Sequence, residues 1–195
     1  MAANIFDLRR RQAALQREAD EVLGDLELVQ LLAAVGHPVR TGASALGLMV
    51  QRDIDVTVIC DTLEIAPVTV IASALASHPR IHRVLFRNDT HAWNTDPRYP
   101  DGLYLGPVYR SLGGDWTLDI WFVDEPERQP DLEHLRTSET LLTEASRDAI
   151  LAIKSEWVER AEYGKTVSSY DIYRAVLEDG VRSSEQFAAW LTRRA

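Results

Sequence analysis

The segment Asp53-Ile-Asp-Val-Thr-Val-Ile-Cys60 constrains the fold of this chain more than any other. In a strand, successive side chains point to opposite faces, so Ile54, Val56, Val58 and Cys60 turn toward a core while Asp53, Asp55 and Thr57 share the other face. The two aspartate Cα atoms lie about 6.6 Å apart on such a strand. From that spacing their carboxylates can converge on divalent cations about 3.5 to 4 Å apart. Hard oxygen ligands select Mg²⁺ or Mn²⁺, and the five histidines show no ligand spacing that would favour a softer metal. An Asp-x-Asp pair also occurs as a solvated strand start or a turn, but a second segment weighs against that. In Trp116-Thr-Leu-Asp-Ile-Trp-Phe-Val123, Leu118, Ile120 and Phe122 fall on one face and Thr117 and Asp119 on the other. A charge inside so apolar a strand is costly unless it is paired or metal-bound. Its partner is either an arginine or the dyad through a shared metal.

Around these strands the sequence predicts an α/β (α+β) domain: a mixed sheet with flanking helices, followed by a C-terminal helical region. Ile5 to about Val35 has apolar residues at helical spacing, giving one or two amphipathic helices that Pro38 ends. Strands are expected at His37–Gly42, Asp53–Cys60, Ile81–Ala92, Leu103–Ser111 and Trp116–Val123, with a helix in the proline-flanked run Pro67–Pro79. Beyond Pro130 glycine nearly vanishes, and three helices follow at Ser138–Arg160, Ser168–Asp179 and Ser183–Arg194. Ser168 with Asp171 reads as a capping box, and Gly180 as a stop. The expected division is a core over 1–135 with a helical region over 136–195 packed on it.

Charge narrows the partners. The 195 residues include 21 Lys and Arg against 30 Asp and Glu, a formal charge of −9. That balance argues against extensive nucleic-acid binding and leaves room only for a local anion site. A single cysteine, Cys60, closes no internal disulfide, and neither a signal-peptide core nor a membrane-length apolar run is present. The expectation is a cytoplasmic protein with no membrane partner.

Gly42 and Gly47 bracket a short turn whose backbone amides could approach a phosphate, although the same pattern serves a plain strand-to-helix turn. Taken together, Gly42, the Leu46-Gly47 turn, Arg52-Asp53-Ile54-Asp55 and the later Asp119 resemble the signature of the DNA polymerase beta nucleotidyltransferase superfamily. The phrases GLMVQRDID, GLYLGPVY, WTLDIWFV, ILAIKSEW and SSYDIYRAVLEDGV are also similar to small bacterial stand-alone nucleotidyltransferase-domain proteins. The second turn position, usually Ser or Gly in that family, is Ala43 here, with the serine one place later at Ser44.

The resemblance implies a nucleotidyltransferase-type sheet and a reaction in which an acceptor hydroxyl attacks the α-phosphorus of an NTP and pyrophosphate leaves. Asp53 and Asp55 would bridge two Mg²⁺ or Mn²⁺ ions, and Asp119 would hold the metal that activates the acceptor. Gly42, Ser44, Gly47, Arg52 and Lys154 would contact the NTP. Lys154 falls within the apolar stripe of Ile150, Ile153 and Trp157, so it either points inward to phosphate or lays its stem on apolar surface with the ammonium in water. Arg147 shares its side of the helix. Arg52 either serves the carboxylates or phosphate, or pairs with Asp61 or another acid. Tyr163, Lys165 and Tyr170 are candidates for base contact or for packing. The five tryptophans are read as core and Cys60 as buried and inert. The acceptor and the oligomeric state stay open. A non-catalytic or regulatory nucleotide-binding module of the same fold, such as a toxin–antitoxin partner, is the alternative.

Overall fold

The alternation at Asp53 organises the whole molecule. The computed structural model describes residues 4–194. Thirteen elements follow in chain order: α1 (Ile5–Asp25), α2 (Leu28–Leu32), β1 (His37–Thr41), α3 (Gly42–Leu46), β2 (Asp53–Ile59), α4 (Ile65–Ala76), β3 (Ile81–Asp89), β4 (Gly102–Ser111), β5 (Gly114–Val123), α5 (Pro130–Leu141), α6 (Glu144–Trp157), α7 (Ser169–Leu177) and α8 (Ser184–Thr192). The strands form one mixed sheet in the order β1-β2-β5-β4-β3. The β2–β5 pair is parallel and the other pairs are antiparallel.

One apolar face of this sheet makes the main core. Ile54, Val56 and Val58 of β2, Leu118, Ile120 and Phe122 of β5, and Leu103 and Leu105 of β4 pack with α1, α2 and α4. A second cluster joins Leu46, Leu48 and Val50, which precede β2, to Ile150, Ile153 and Trp157 of α6 and Ile172, Phe187 and Trp190 beyond. The chain ahead of the dyad is therefore gripped by the C-terminal helices, and this places the opposite, polar face of β2 and β5 against α5–α7. The expected division at 135/136 falls inside α5.

Several expectations are corrected. The helix expected over Ser138–Arg160 is two helices, because Leu142 is extended and Thr143 caps α6 through a reciprocal pair with Ser146. The N-terminal helices end at Leu32, and Pro38 sits inside β1, an edge strand where its missing N–H is tolerated. The Gly42–Gly47 turn winds into α3, and β3 stops at Asp89 rather than Ala92. Trp116, Trp157 and Trp190 are core residues. Trp93 is 72% exposed and Trp121 lines a cleft, so the core reading fails for both. Cys60 is buried, with its thiol pushed up to about 11 by burial and the nearby Asp124. No helix among the described residues is long and apolar enough to cross a membrane.

Candidate metal and nucleotide site

Parallel register brings the three aspartates together. Asp53 lies opposite Thr117, and Asp55 lies directly opposite Asp119. Each of Asp53, Asp55 and Asp119 offers a carboxylate oxygen within 4.8 Å of the others. Gly42 closes over them. It adopts φ +62°, and a β-carbon there would collide with the Asp55 carboxylate, so the turn can cross the dyad only with glycine at this position.

The electrostatics are those of a site short of positive charge. Asp53 accepts a hydrogen bond from Thr117 Oγ1 at 2.8 Å, yet burial and the neighbouring Asp119 raise its pKa to about 6. Asp55 has no side-chain hydrogen-bond donor among the described residues. Burial, then Asp53 and Asp119, push its pKa well above the usual carboxylate range. Asp119 accepts from the Tyr104 hydroxyl, whose own pKa is raised by burial and by that bond. Three converging carboxylates, one of them without a donor, fit a hard divalent cation, which would satisfy the oxygens and offset their mutual repulsion.

Lys154 points inward. It is 2% exposed, and its Nζ donates to Leu48 O at 3.0 Å and to Tyr173 Oη at 2.9 Å. Burial lowers its pKa, while Tyr163, Asp55 and Asp53 act in the opposite direction. A cleft of about 230 Å³ is lined by Gly42, Ala43, Asp53, Asp55, Lys154 and Tyr170, with Asp131, His134, Tyr163 and Tyr173 around them. Of the candidates from the sequence, Gly42, Lys154, Tyr163 and Tyr170 line this cleft beside the dyad, and Lys165 does not.

Other candidates are turned elsewhere. Arg52 forms an ion pair with Glu18 of α1 at 3.0 Å and lies along Gly113, the "another acid" outcome for that residue. The Ser44 hydroxyl accepts from Arg40 Nε at 3.0 Å and donates to Thr41 O at 3.4 Å, and it does not line the cleft. Gly47, at φ +65°, is the C-cap of α3. Arg147 donates to Leu46 O and, at 3.1 Å, to Gly47 O, neutralising the end of α3 rather than reaching phosphate.

A second cleft of about 640 Å³ also opens on Asp55, Asp119 and Asp131, but its far wall is the segment from Asp89 to Pro100 with Gln129. Tyr104, Gln129, Asp131 and His134 escaped the sequence reading. Tyr104 was within reach of it, since Leu103 and Leu105 mark the core face of β4 and leave Tyr104 on the carboxylate face.

No protein-family model and no curated protein sequence matches the chain. Solved structures do. The Cid1 poly(U) polymerase bound to Mg and 3′-dATP aligns with a TM-score of 0.59 at 18% identity, over 83% of this chain and 49% of that one. The GLD-2/RNP-8 complex aligns at 0.58 and 14% identity, over 91% and 64%. A cytoplasmic RNA terminal U-transferase aligns at 0.55 and 16%, over 88% and 51%. The fold is a polymerase β-like nucleotidyltransferase fold. The chain spans about half the length of the Cid1 structures that it matches. Within the nucleotidyltransferase fold, the acidic triad lies at the face shared by the sheet and the C-terminal helices, where both clefts meet.

Proposed function

We propose that the chain is a metal-dependent nucleotidyltransferase that moves a nucleoside monophosphate from an NTP to an acceptor hydroxyl. The observation that carries this reading is the convergence of Asp53, Asp55 and Asp119 within 4.8 Å, with Asp55 left without a donor beneath a glycine turn. Mg²⁺ or Mn²⁺ is the cation that such oxygens would hold, with Asp53, Asp55 and Asp119 as its ligands. Bound there, the metal would neutralise charge on the phosphates and on the attacking oxygen.

The chain's own residues supply position and local charge. Lys154, held by Leu48 O and Tyr173, is a fixed cation at the edge of the narrower cleft, suited to triphosphate oxygens. Gly42 and Ala43 bring backbone against the same space, and Tyr170 offers a ring for the base. Ser44, Gly47 and Arg52 serve the nucleotide indirectly in this account, by fixing the turn and the strand that carries the dyad. Tyr104 holds the Asp119 carboxylate, and the acceptor proton leaves past Asp119 to solvent.

The buried Ser44 hydroxyl, engaged by Arg40 and Thr41 O away from the cleft, and the methyl side chain of Ala43 favour a second reading, a nucleotide-binding module of the same fold without turnover. Incubation of the chain with α-labelled NTPs, Mg²⁺ or Mn²⁺ and pooled acceptors decides between them. Metal-dependent pyrophosphate release that Asp55→Asn abolishes supports the enzyme. Metal-dependent NTP binding with no release supports the module.

A further inference from the structure

The two ends of the sheet are built differently. At one end β1 is five residues long and carries Pro38, features that blunt an edge. At the other end β3 runs nine residues, Ile81–Asp89, with neither proline nor lysine. Leu85 is 52% exposed there and Phe86 37%. Pro107 fixes which backbone groups this edge offers. It lies opposite Val84 and has no N–H, so that pair is not hydrogen-bonded, and by alternation the amides and carbonyls of Val84, Phe86 and Asn88 point away from β4. A row of unpaired backbone groups is a template for another strand.

The side chains of β3 are complementary to a second β3. The irregularity between Ile81 and Arg83 leaves Arg83–Asp89 as the regular part of the edge. A two-fold antiparallel pairing of this stretch with itself must match outward groups to outward groups, and three registers then pair most of it. Centred on Leu85, Arg83 stands opposite Arg87 twice; centred on Arg87, that side chain stands opposite itself. Like charges so placed are destabilising. Centred on Phe86, the whole stretch pairs, with Arg83 opposite Asp89, Leu85 opposite Arg87 and Phe86 opposite itself. Arg83 has no ion pair among the described residues, and Asp89 accepts from Arg87 Nε through Oδ2 at 2.8 Å, leaving Oδ1 for a second guanidinium.

The helix beside this edge carries no charge to keep a copy away. α4, which covers β3 and β4, has no charged residue, although Ile65 is 48% and Val70 69% exposed. At 100° per residue Ile65, Thr69, Ala72 and Ala76 fall on one side of it, opposite Ala74, which lines a groove against α2. The uncharged side therefore faces the β3 edge.

We propose that the chain forms a two-fold dimer by antiparallel pairing of β3 with β3 of a second copy, centred on Phe86, joining two five-stranded sheets into one with α4 beside α4 across the axis. Val84 pairs with Asn88 and Phe86 with Phe86 through main-chain hydrogen bonds. The two phenyl rings meet beside α4, Leu85 covers the stem of Arg87, and Arg83 meets Asp89 twice. The axis stands perpendicular to the sheet, so both acidic triads open on the same face of the joined sheet.

Sedimentation of the whole chain over a concentration series tests this, with oxidative cross-linking to read the register. The parent is expected at twice the mass of the chain. Arg83→Asp sets like charges opposite each other at two positions and should weaken association roughly tenfold or more; Arg83 is exposed, so the variant keeps the fold. Phe86→Cys should cross-link under mild oxidation, because the Cα atoms of a hydrogen-bonded pair lie about 5.5 Å apart, within disulfide reach. Leu85→Cys should not, since its counterpart is displaced by about 6.6 Å along the strand. Cys60 is buried, so the introduced thiol is the one that reacts. A monomer at every concentration, a dimer indifferent to Arg83→Asp, failure of Phe86→Cys to cross-link, or cross-linking of Leu85→Cys in its place overturns the proposal.

Discussion

Gly42 is a steric requirement of the site. Alanine there must hold φ +62°, at about 1 to 2 kcal/mol for a residue with a β-carbon, and its methyl meets the Asp55 carboxylate. Gly42→Ala is therefore expected to lower the melting temperature modestly while removing most of the Mn²⁺-dependent rise; a variant that keeps the full rise contradicts the close approach. At Asp53 the expected effect is on pH. Its folded pKa is raised to about 6, above its unfolded value near 3.8, so the folded state binds protons more readily. The contribution to stability is then present below the unfolded pKa and lost as pH climbs through about 6. In metal-free protein, Asp53→Asn should stabilise more at pH 7.5 than at pH 4.5 in denaturant titrations, and an equal effect at both contradicts the raised pKa. Residues such as Asp53, Asp55 and Asp119 were legible in the sequence because strand alternation alone puts them on the non-core face. Ser44 and Arg52 were not, because their partners, Arg40 and Glu18, depend on how β1 and α1 pack, which no local pattern encodes.

At the scale of elements, α6 joins the second core to the site. Ile150, Ile153 and Trp157 anchor it, and Lys154 on the same stripe carries a desolvated ammonium into the cleft. Lys154→Met keeps the apolar stem and removes the buried charge. The variant should melt within a few degrees of the parent, while NTP binding weakens roughly ten- to hundredfold with the loss of a charge-assisted contact of about 1.5 to 3 kcal/mol. Unchanged affinity would remove Lys154 from the nucleotide site. Helical spacing put Lys154 on the apolar stripe but left its direction open, and only the packing of α6 turns it inward; the start of α7 was legible from Ser168 and Asp171, whose reciprocal bonds are present. The break between α5 and α6 was hidden because the second partner of the Thr143 cap is Ser146 rather than the Glu or Gln of the usual signature.

For the molecule as a whole, the sheet order brings segments more than sixty residues apart into parallel register, and local alternation carries no information about that pairing. Strand types and faces were thus readable, whereas the opposition of Asp55 to Asp119 and the existence of two clefts meeting at the triad were products of topology. The account places one acidic triad where two clefts meet in a chain of net charge −9. Its central claim is that this triad holds divalent metal. Titration of Mn²⁺ followed by the electron paramagnetic resonance signal of the free ion tests it most directly. The parent chain is predicted to remove Mn²⁺ from the free pool saturably, more tightly with NTP present, and Asp55→Asn and Asp119→Asn to lose that uptake; equal uptake by parent and variants, or none by the parent, would contradict the account.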